Sequence, residues 1–139
     1  MEIRPFREHD EAQVVALWHA CGLTRPWNDP HKDIARKLRV QRELFLVGED
    51  DGRVVASVMA GYEGHRGWVN YLAVDPAQRR RGLGARLMRR VEELLEAAGC
   101  PKLNLQVRTA NTEVLAFYRA LGYAQDDVLA LGKRLIPDQ

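Results

Sequence analysis

Three consecutive arginines followed by two glycines, Arg79-Arg80-Arg81-Gly82-Leu83-Gly84-Ala85, stand between an apolar strand-like run and a long amphipathic stretch. Gly82 and Gly84 lack a Cβ, so the backbone there can turn tightly and let a ligand approach closely. A helix that starts at this point presents unpaired N–H groups and a partial positive charge. Such an arrangement suits a pyrophosphate, with the flanking arginines adding charge-assisted contacts. The same residues also read as a solvated basic face ahead of an amphipathic helix, because short glycine patterns carry little information alone. Two nucleotide motifs are excluded. The Lys-Ser/Thr of a Walker loop does not follow the second glycine, and the third glycine of a dinucleotide fingerprint is missing.

A second group lies downstream in Asn111-Thr-Glu-Val-Leu-Ala-Phe-Tyr118-Arg-Ala-Leu-Gly122-Tyr123. Asn111 and Tyr118 are separated by nearly two helical turns, so they face the same way. Each also has a purely structural reading: Asn111 as a helix cap, Tyr118 as a packed core residue, and Gly122 as the helix C-cap. The two cysteines, Cys21 and Cys100, have no metal-ligand spacing and read as reduced thiols.

These groups need elements to hold them. Residues 2–6 alternate as a short first strand. Asp10 is expected to cap a helix carrying Val14, Leu17, Trp18 and Cys21, which Gly22 ends. After the turn-rich segment 24–30, Asp29 and Pro30 open a second helix to about Leu38. Residues 44–48 and 54–62 form a hairpin around Asp50-Asp51-Gly52, and the turn 64–67 leads into a strand at 68–74. Leu83, Leu87, Met88, Val91, Leu94, Leu95 and Ala98 trace one face of a third helix, stopped by Gly99. Leu103, Leu105 and Val107 alternate as a strand, a helix runs from Val114 to Leu121, and residues 128–136 alternate as a last strand returning to the sheet. The crossover around residues 68–108 implies one parallel pair in an otherwise antiparallel sheet, giving an α+β class with a mixed sheet.

The chain of 139 residues fits one domain, 1–139, with no repeat or linker. Its formal charge of +2 argues against nucleic acid as a partner, although six arginines crowd between Arg79 and Arg90. No apolar stretch is long enough for a membrane span, and Met-Glu-Ile-Arg-Pro does not resemble a secretory leader, so a cytoplasmic location is expected.

Taken together, Arg79-x-x-Gly82-x-Gly84 and the Asn111…Phe-Tyr118-x-x-x-Gly122-Tyr123 pattern resemble the GNAT N-acetyltransferase family over nearly the whole chain. Details such as Arg25-Pro-Trp-Asn-Asp-Pro, Gly64-His-Arg-Gly and Leu131-Gly-Lys-Arg-Leu-Ile are similar to YpeA-type bacterial members. The resemblance implies a central sheet, mixed and mostly antiparallel, flanked by helices, with splayed fourth and fifth strands. It implies acetyl-CoA as co-substrate and an unidentified amine as acceptor, joined by direct attack in a ternary complex. Backbone groups of Leu72, Ala73 and Val74 would hold the pantetheine arm. The amides of Arg79, Arg80, Arg81, Gly82, Leu83, Gly84 and Ala85 would hold the pyrophosphate, and Asn111 would lie beside the arm. Tyr118 would be the general acid at the thiolate, and a β4 amide would stabilise the oxyanion. No metal and no covalent enzyme intermediate are expected.

The general base is not assigned by the resemblance: Glu63 and His65 are candidates, each also readable as an exposed turn residue, while Asn70 and Tyr71 supply no carboxylate. Trp27, Asp29 and Glu63 are the expected acceptor contacts, with Asp29 also readable as a helix cap. Pairing of two subunits through the C-terminal strands is common in that family, so a homodimer is one option. A CoA-binding module of weak or no activity is the alternative function.

Overall fold

A computed structural model describes residues 1–138. Five strands form one sheet in the order β1-β2-β3-β4-β5, where β1 is Glu2–Pro5, β2 Phe45–Asp50, β3 Arg53–Tyr62, β4 Gly67–Val74 and β5 Leu103–Leu105. The first four are antiparallel neighbours, and β4 and β5 are parallel. The helices are α1 (Glu11–Ala20), α2 (Pro30–Lys37), α3 (Leu83–Ala97) and α4 (Thr112–Ala120). This is the expected α+β class with a mixed sheet, and the parallel pair is the one that α3 bridges.

Strand periodicity divides the core in two. Phe45, Val47 and Met59 point to the face covered by α1 and α2, where they meet Phe6, Val14, Trp18 and Ile34. Leu46, Ala56, Val58 and Ala60 point to the other face and meet Leu87, Met88 and Val91 of α3 and Tyr118 of α4. None of the described helices is long and apolar enough to cross a membrane.

Local chemistry explains most element ends. Asp29 accepts bonds from the His31 and Lys32 amides at 2.9 and 3.4 Å, with Pro30 at the first helical position, as the sequence predicts. Asp10 behaves differently. It closes a short 3-10 turn (Glu8–Asp10), and its carboxylate turns back to the Arg4 guanidinium at 2.8 and 2.9 Å and the Arg7 amide at 2.8 Å instead of capping α1. Burial pushes the Asp10 carboxyl up, but the bonds from Arg4 and Arg7 outweigh it and hold the group charged.

The last expected strand does not form. Residues 128–136 have no regular structure, and their apolar side chains stand in solvent, with Leu129 90% and Leu131 92% exposed. The segment is fastened at both ends instead of paired along its length. Asp126 meets Lys102 at 2.9 Å. Asp138 accepts from the Asp29 amide at 2.8 Å and from Arg36 at 2.6 Å, and its carbonyl accepts from Lys32 at 2.9 Å. These bonds carry the tail towards α2, and among the described residues the outer edge of β5 has no strand partner. Val107, also expected in a strand, lies past the end of β5.

The Arg36 guanidinium and the Asp29 amide lower the Asp138 carboxyl to about 2. A carboxylate depressed in the folded state contributes stability above its unfolded value, about 4. That contribution is lost as pH falls from about 4 towards 2. Amide hydrogen exchange at Asp29 is therefore expected to accelerate over this interval before the sheet amides do; simultaneous loss would show that the tail is not separately fastened.

Candidate active site

The site begins where β4 and β5 part. Their parallel pairing runs Gly67–Leu103, Trp68–Asn104 and Val69–Leu105, and stops there. β4 continues to Val74 while β5 has ended, so among the described residues the β4 edge away from β3 has no strand beside it from Asn70 to Val74. Buried backbone N–H and C=O groups require partners, and an open edge of this kind is a template for an extended ligand.

A β-bulge shapes that edge. Ser57 pairs with Ala73 and Met59 with Asn70, so Val58 faces both Tyr71 and Leu72. Tyr71 takes the left-handed backbone that the extra residue demands (φ 54°). Two contacts hold it there. Trp18 stacks on its ring at 3.8 Å, and Ser57 Oγ, which accepts from Trp18 Nε1 at 2.9 Å, donates to the Tyr71 carbonyl at 3.3 Å.

The cleft so formed encloses about 690 Å³, within the range of small-molecule sites. One wall is α2 with the end of α1, the floor is Met59 and Asn70, and the far wall is Gln106–Arg108 with the start of α4. Asn111 caps α4, its Oδ1 accepting from the Val114 amide at 3.3 Å, and it also lines the cleft. Tyr118 lines the same cleft although only 6% exposed, and burial pushes its phenol up to about 12. Its hydroxyl has no hydrogen-bond partner among the described residues.

At the outer end of β4 the chain makes a short 3-10 turn (Pro76–Gln78), and Arg80 and Gly82 both take left-handed backbone, with φ 69° and 73°. The first intrahelical bond of α3 runs from the Arg86 amide to the Gly82 carbonyl, leaving the amides of Leu83, Gly84 and Ala85 unpaired within the helix. Arg79, Arg80 and Arg81 surround this helix start as exposed side chains. Gly84 has a packing role: a Cβ there would lie 3.2 Å from Phe117 Cζ, so the missing side chain lets α4 sit against α3.

Of the expected site residues, the structure gathers Leu72, Asn111 and Tyr118 around the cleft, while Arg79–Ala85 do not line it and follow the end of β4 through the 3-10 turn. Ala73 is buried in the α1–α2 core, and the Val74 carbonyl accepts from Cys21 Sγ at 3.2 Å. Trp27, Asp29 and Glu63 do not line the cleft. Trp27 is 51% exposed, and Asp29 is occupied as the α2 cap. Glu63 accepts from the Arg66 and His65 amides, each at 2.5 Å, which lowers its carboxyl and makes it a poor proton acceptor.

The carboxylate that does face the cleft is Asp33, on α2. Tyr71 Oη donates to its Oδ2 at 2.6 Å and Arg36 Nη1 to its Oδ1 at 3.2 Å. Burial and the Asp33 carboxylate both push the Tyr71 phenol up, so it stays a donor. Sequence reasoning missed Asp33 and its neighbour Lys37; their four-residue spacing, which puts them on one helical face, is the available signal.

Comparison with known proteins agrees with this geometry. The model of the acetyltransferase (GNAT) family matches residues 8–123. The chain belongs to the GNAT acetyltransferase family. An acetyltransferase of Sodalis glossinidius (strain morsitans) is 54% identical over 140 residues, covering 100% of this chain and 99% of the relative. One from Yersinia pestis (strain Pestoides F) is 52% identical over 139 residues, covering 100% and 99%. These names confirm the acetyltransferase family and do not narrow it to the YpeA-type group. Among solved structures, Ard1 from Thermoplasma volcanium superposes with a TM-score of 0.75 at 24% identity, covering 88% of this chain and 82% of that one. An aminoglycoside 6′-N-acetyltransferase from Acinetobacter haemolyticus does so with a TM-score of 0.74 at 19% identity, covering 98% and 100%. Both likenesses show the fold.

Tyr71→Phe keeps the ring on Trp18 and removes the bond to Asp33. A half-buried hydrogen bond to a charged group predicts a loss of about 1 kcal/mol in urea unfolding; an unchanged midpoint would show that the pair does not hold α2 against β4.

Proposed function

We propose that this GNAT acetyltransferase moves an acetyl group from acetyl-CoA to the nitrogen of an amine acceptor, by direct attack with both substrates bound. The observation that carries this reading is the opening between β4 and β5, with the unpartnered Tyr118 hydroxyl facing into it. The open edge at Leu72–Val74 suits the amide groups of a pantetheine arm, and the free amides at the start of α3 suit its pyrophosphate, with Arg79–Arg81 adding charge. Asn111 keeps its amide NH₂ available beside the arm while its oxygen caps α4.

Acetyl-CoA supplies a thioester whose carbonyl carbon bonds to the amine nitrogen as the C–S bond breaks. The bulge at Tyr71 re-aims the β4 backbone, and an outward amide there donates to the developing oxyanion. Tyr118 donates to the departing sulfur. Its phenol, at about 12, is a weaker acid than an ordinary thiol near 8.5. The hydrogen bond therefore stabilises the thiolate as it forms, and the phenol stays protonated across the working pH range. Asp33 attracts and orients the ammonium form of the acceptor, a role that Glu63 and His65, away from the cleft lining, do not share. The proton lost before attack passes to water in the cleft, and the one the nitrogen sheds as the amide forms passes to the thiolate, so CoA leaves as the thiol. No other acidic side chain lines the cleft among the described residues.

Tyr118→Phe is expected to slow CoA release in single-turnover assays by about 10²-fold while leaving acetyl-CoA affinity within about twofold. Asp33→Asn is expected to lower kcat/KM for the amine at least tenfold, again with acetyl-CoA affinity kept. Full single-turnover rates in both variants would remove these residues from the chemistry. Acetyl-CoA binding with no CoA release from any amine would favour the alternative of a binding module.

A further inference from the structure

The acceptor end of the cleft carries more positive charge than an amine substrate needs. Arg25, Arg36, Lys37 and Arg108 line it against the single carboxylate of Asp33. A pocket built for a simple amine, which arrives as a cation, would be expected to hold the opposite balance, since like charges in a confined site repel. Three of the four cations have evident occupations or lie open to water. Arg25 donates to the Gly22 and Thr24 carbonyls at 2.7 and 2.8 Å. Arg36 is shared between Asp33 and Asp138. Arg108 is exposed on the opposite wall.

Lys37 is different. It lies one helical turn beyond Asp33 on the same face of α2, half-buried in the cleft wall. Its Nζ donates to the Ala60 carbonyl at 2.5 Å, and no carboxylate lies within ion-pair distance among the described residues. One carbonyl satisfies one of three ammonium donors. Burial costs the charged form enough to lower the group, and Glu43 offsets this only through space. A half-buried ammonium that lacks a counter-ion, on a side chain that lines the cleft, can take one from the ligand. The neighbouring edge of α2 shows the match: Lys32 and Arg36 already hold Asp138 of this same chain, its carbonyl and its side-chain carboxylate, at 2.9 and 2.6 Å.

We infer that the acceptor is an amine that also bears an anionic group, a carboxylate or a phosphate, and that Lys37, with Arg108 opposite, binds that group while Asp33 receives the amine. This rests on the amine-acetylating reading above and narrows its substrate class. Asp33 and Lys37 are four residues apart on the helix, about 6 Å in rise. The two charges of the acceptor are therefore separated by a few bonds, as in an amino acid or a phosphorylated amino alcohol, and not by the length of a polyamine.

The test uses the full-length protein, acetyl-CoA and pairs of amines that differ only in the anionic group. One arm sets amino acids against their carboxamides; the other sets phosphoethanolamine against ethanolamine. Wild type is expected to favour the anionic member of at least one arm by tenfold or more in kcat/KM, and the favoured arm tells carboxylate from phosphate. Lys37→Gln, which keeps a donor for the Ala60 carbonyl, is expected to reduce that preference at least tenfold, through KM. A merely structural lysine would lower both members alike and leave the ratio unchanged. Equal use of both members, a preference for the neutral one, or a ratio unaltered in Lys37→Gln overturns the inference, as does turnover of neutral amines alone. Failure to bind acetyl-CoA at all would instead strike the parent reading, and calorimetry on the same samples separates the two.

Discussion

The hydrogen-bond ladder between β4 and β5 ends after Val69–Leu105, and the working parts of this protein follow from that interruption. A sheet that kept its pairing to Val74 would satisfy its own backbone and leave nowhere for an extended ligand. Parting the strands leaves amide and carbonyl groups on the β4 edge in need of partners, and places the start of α4 along one wall of the opening. The free amides of Leu83, Gly84 and Ala85 follow the end of β4, and Tyr118 and Asn111 line the opening. The break is held open by packing. Trp18 and Ser57 fix the bulged Tyr71 from below, and Gly84 against Phe117 sets how closely α4 approaches α3.

The same arrangement ties α1 and α2, on one face of the sheet, to the opening. Tyr71 stacks on Trp18 of α1, bonds Asp33 of α2 and belongs to the strand whose free edge lies along the cleft. Acceptor-side charge and donor-side backbone geometry are thus joined through one residue. The C-terminal tail adds a third tie at the far end of α2, where Arg36 divides its guanidinium between Asp33 and Asp138.

Much of this was legible in the sequence because it depends on local signals. Asp29-Pro30 announced a cap, Asp51-Gly52 a tight turn, and Gly82 a tight turn opening a helix; alternating and helical periodicities placed five strands and four helices in the right order. The parts that were not legible depend on partners distant in the chain. Asp10 looked like a helix cap, and only the folded chain brings Arg4 near enough to claim its carboxylate. Residues 128–136 alternate as a strand does, but alternation needs a sheet edge to pair with, and ion pairs at Lys102, Arg36 and Arg134 lead the segment elsewhere. At the site, the loop and Tyr118 could be named from spacing. For Asp33 and Lys37 spacing shows only that they share a helical face; that this face meets the cleft is set by Ile34, buried against α1 and the sheet.

The central claim is that the start of α3 and the open β4 edge together receive acetyl-CoA. Calorimetric titration of acetyl-CoA into wild type and Gly82→Asp tests it most directly. Gly82 has open space around it, and aspartate tolerates left-handed backbone better than most residues, so the variant is expected to fold with a loss of about 1 kcal/mol. Its carboxylate would stand where the pyrophosphate meets the free amides. Saturable binding by wild type, weakened at least tenfold in the variant while thermal unfolding stays cooperative, is the predicted result. Equal affinity in the two proteins would contradict the account and require the basic helix start to serve some other ligand.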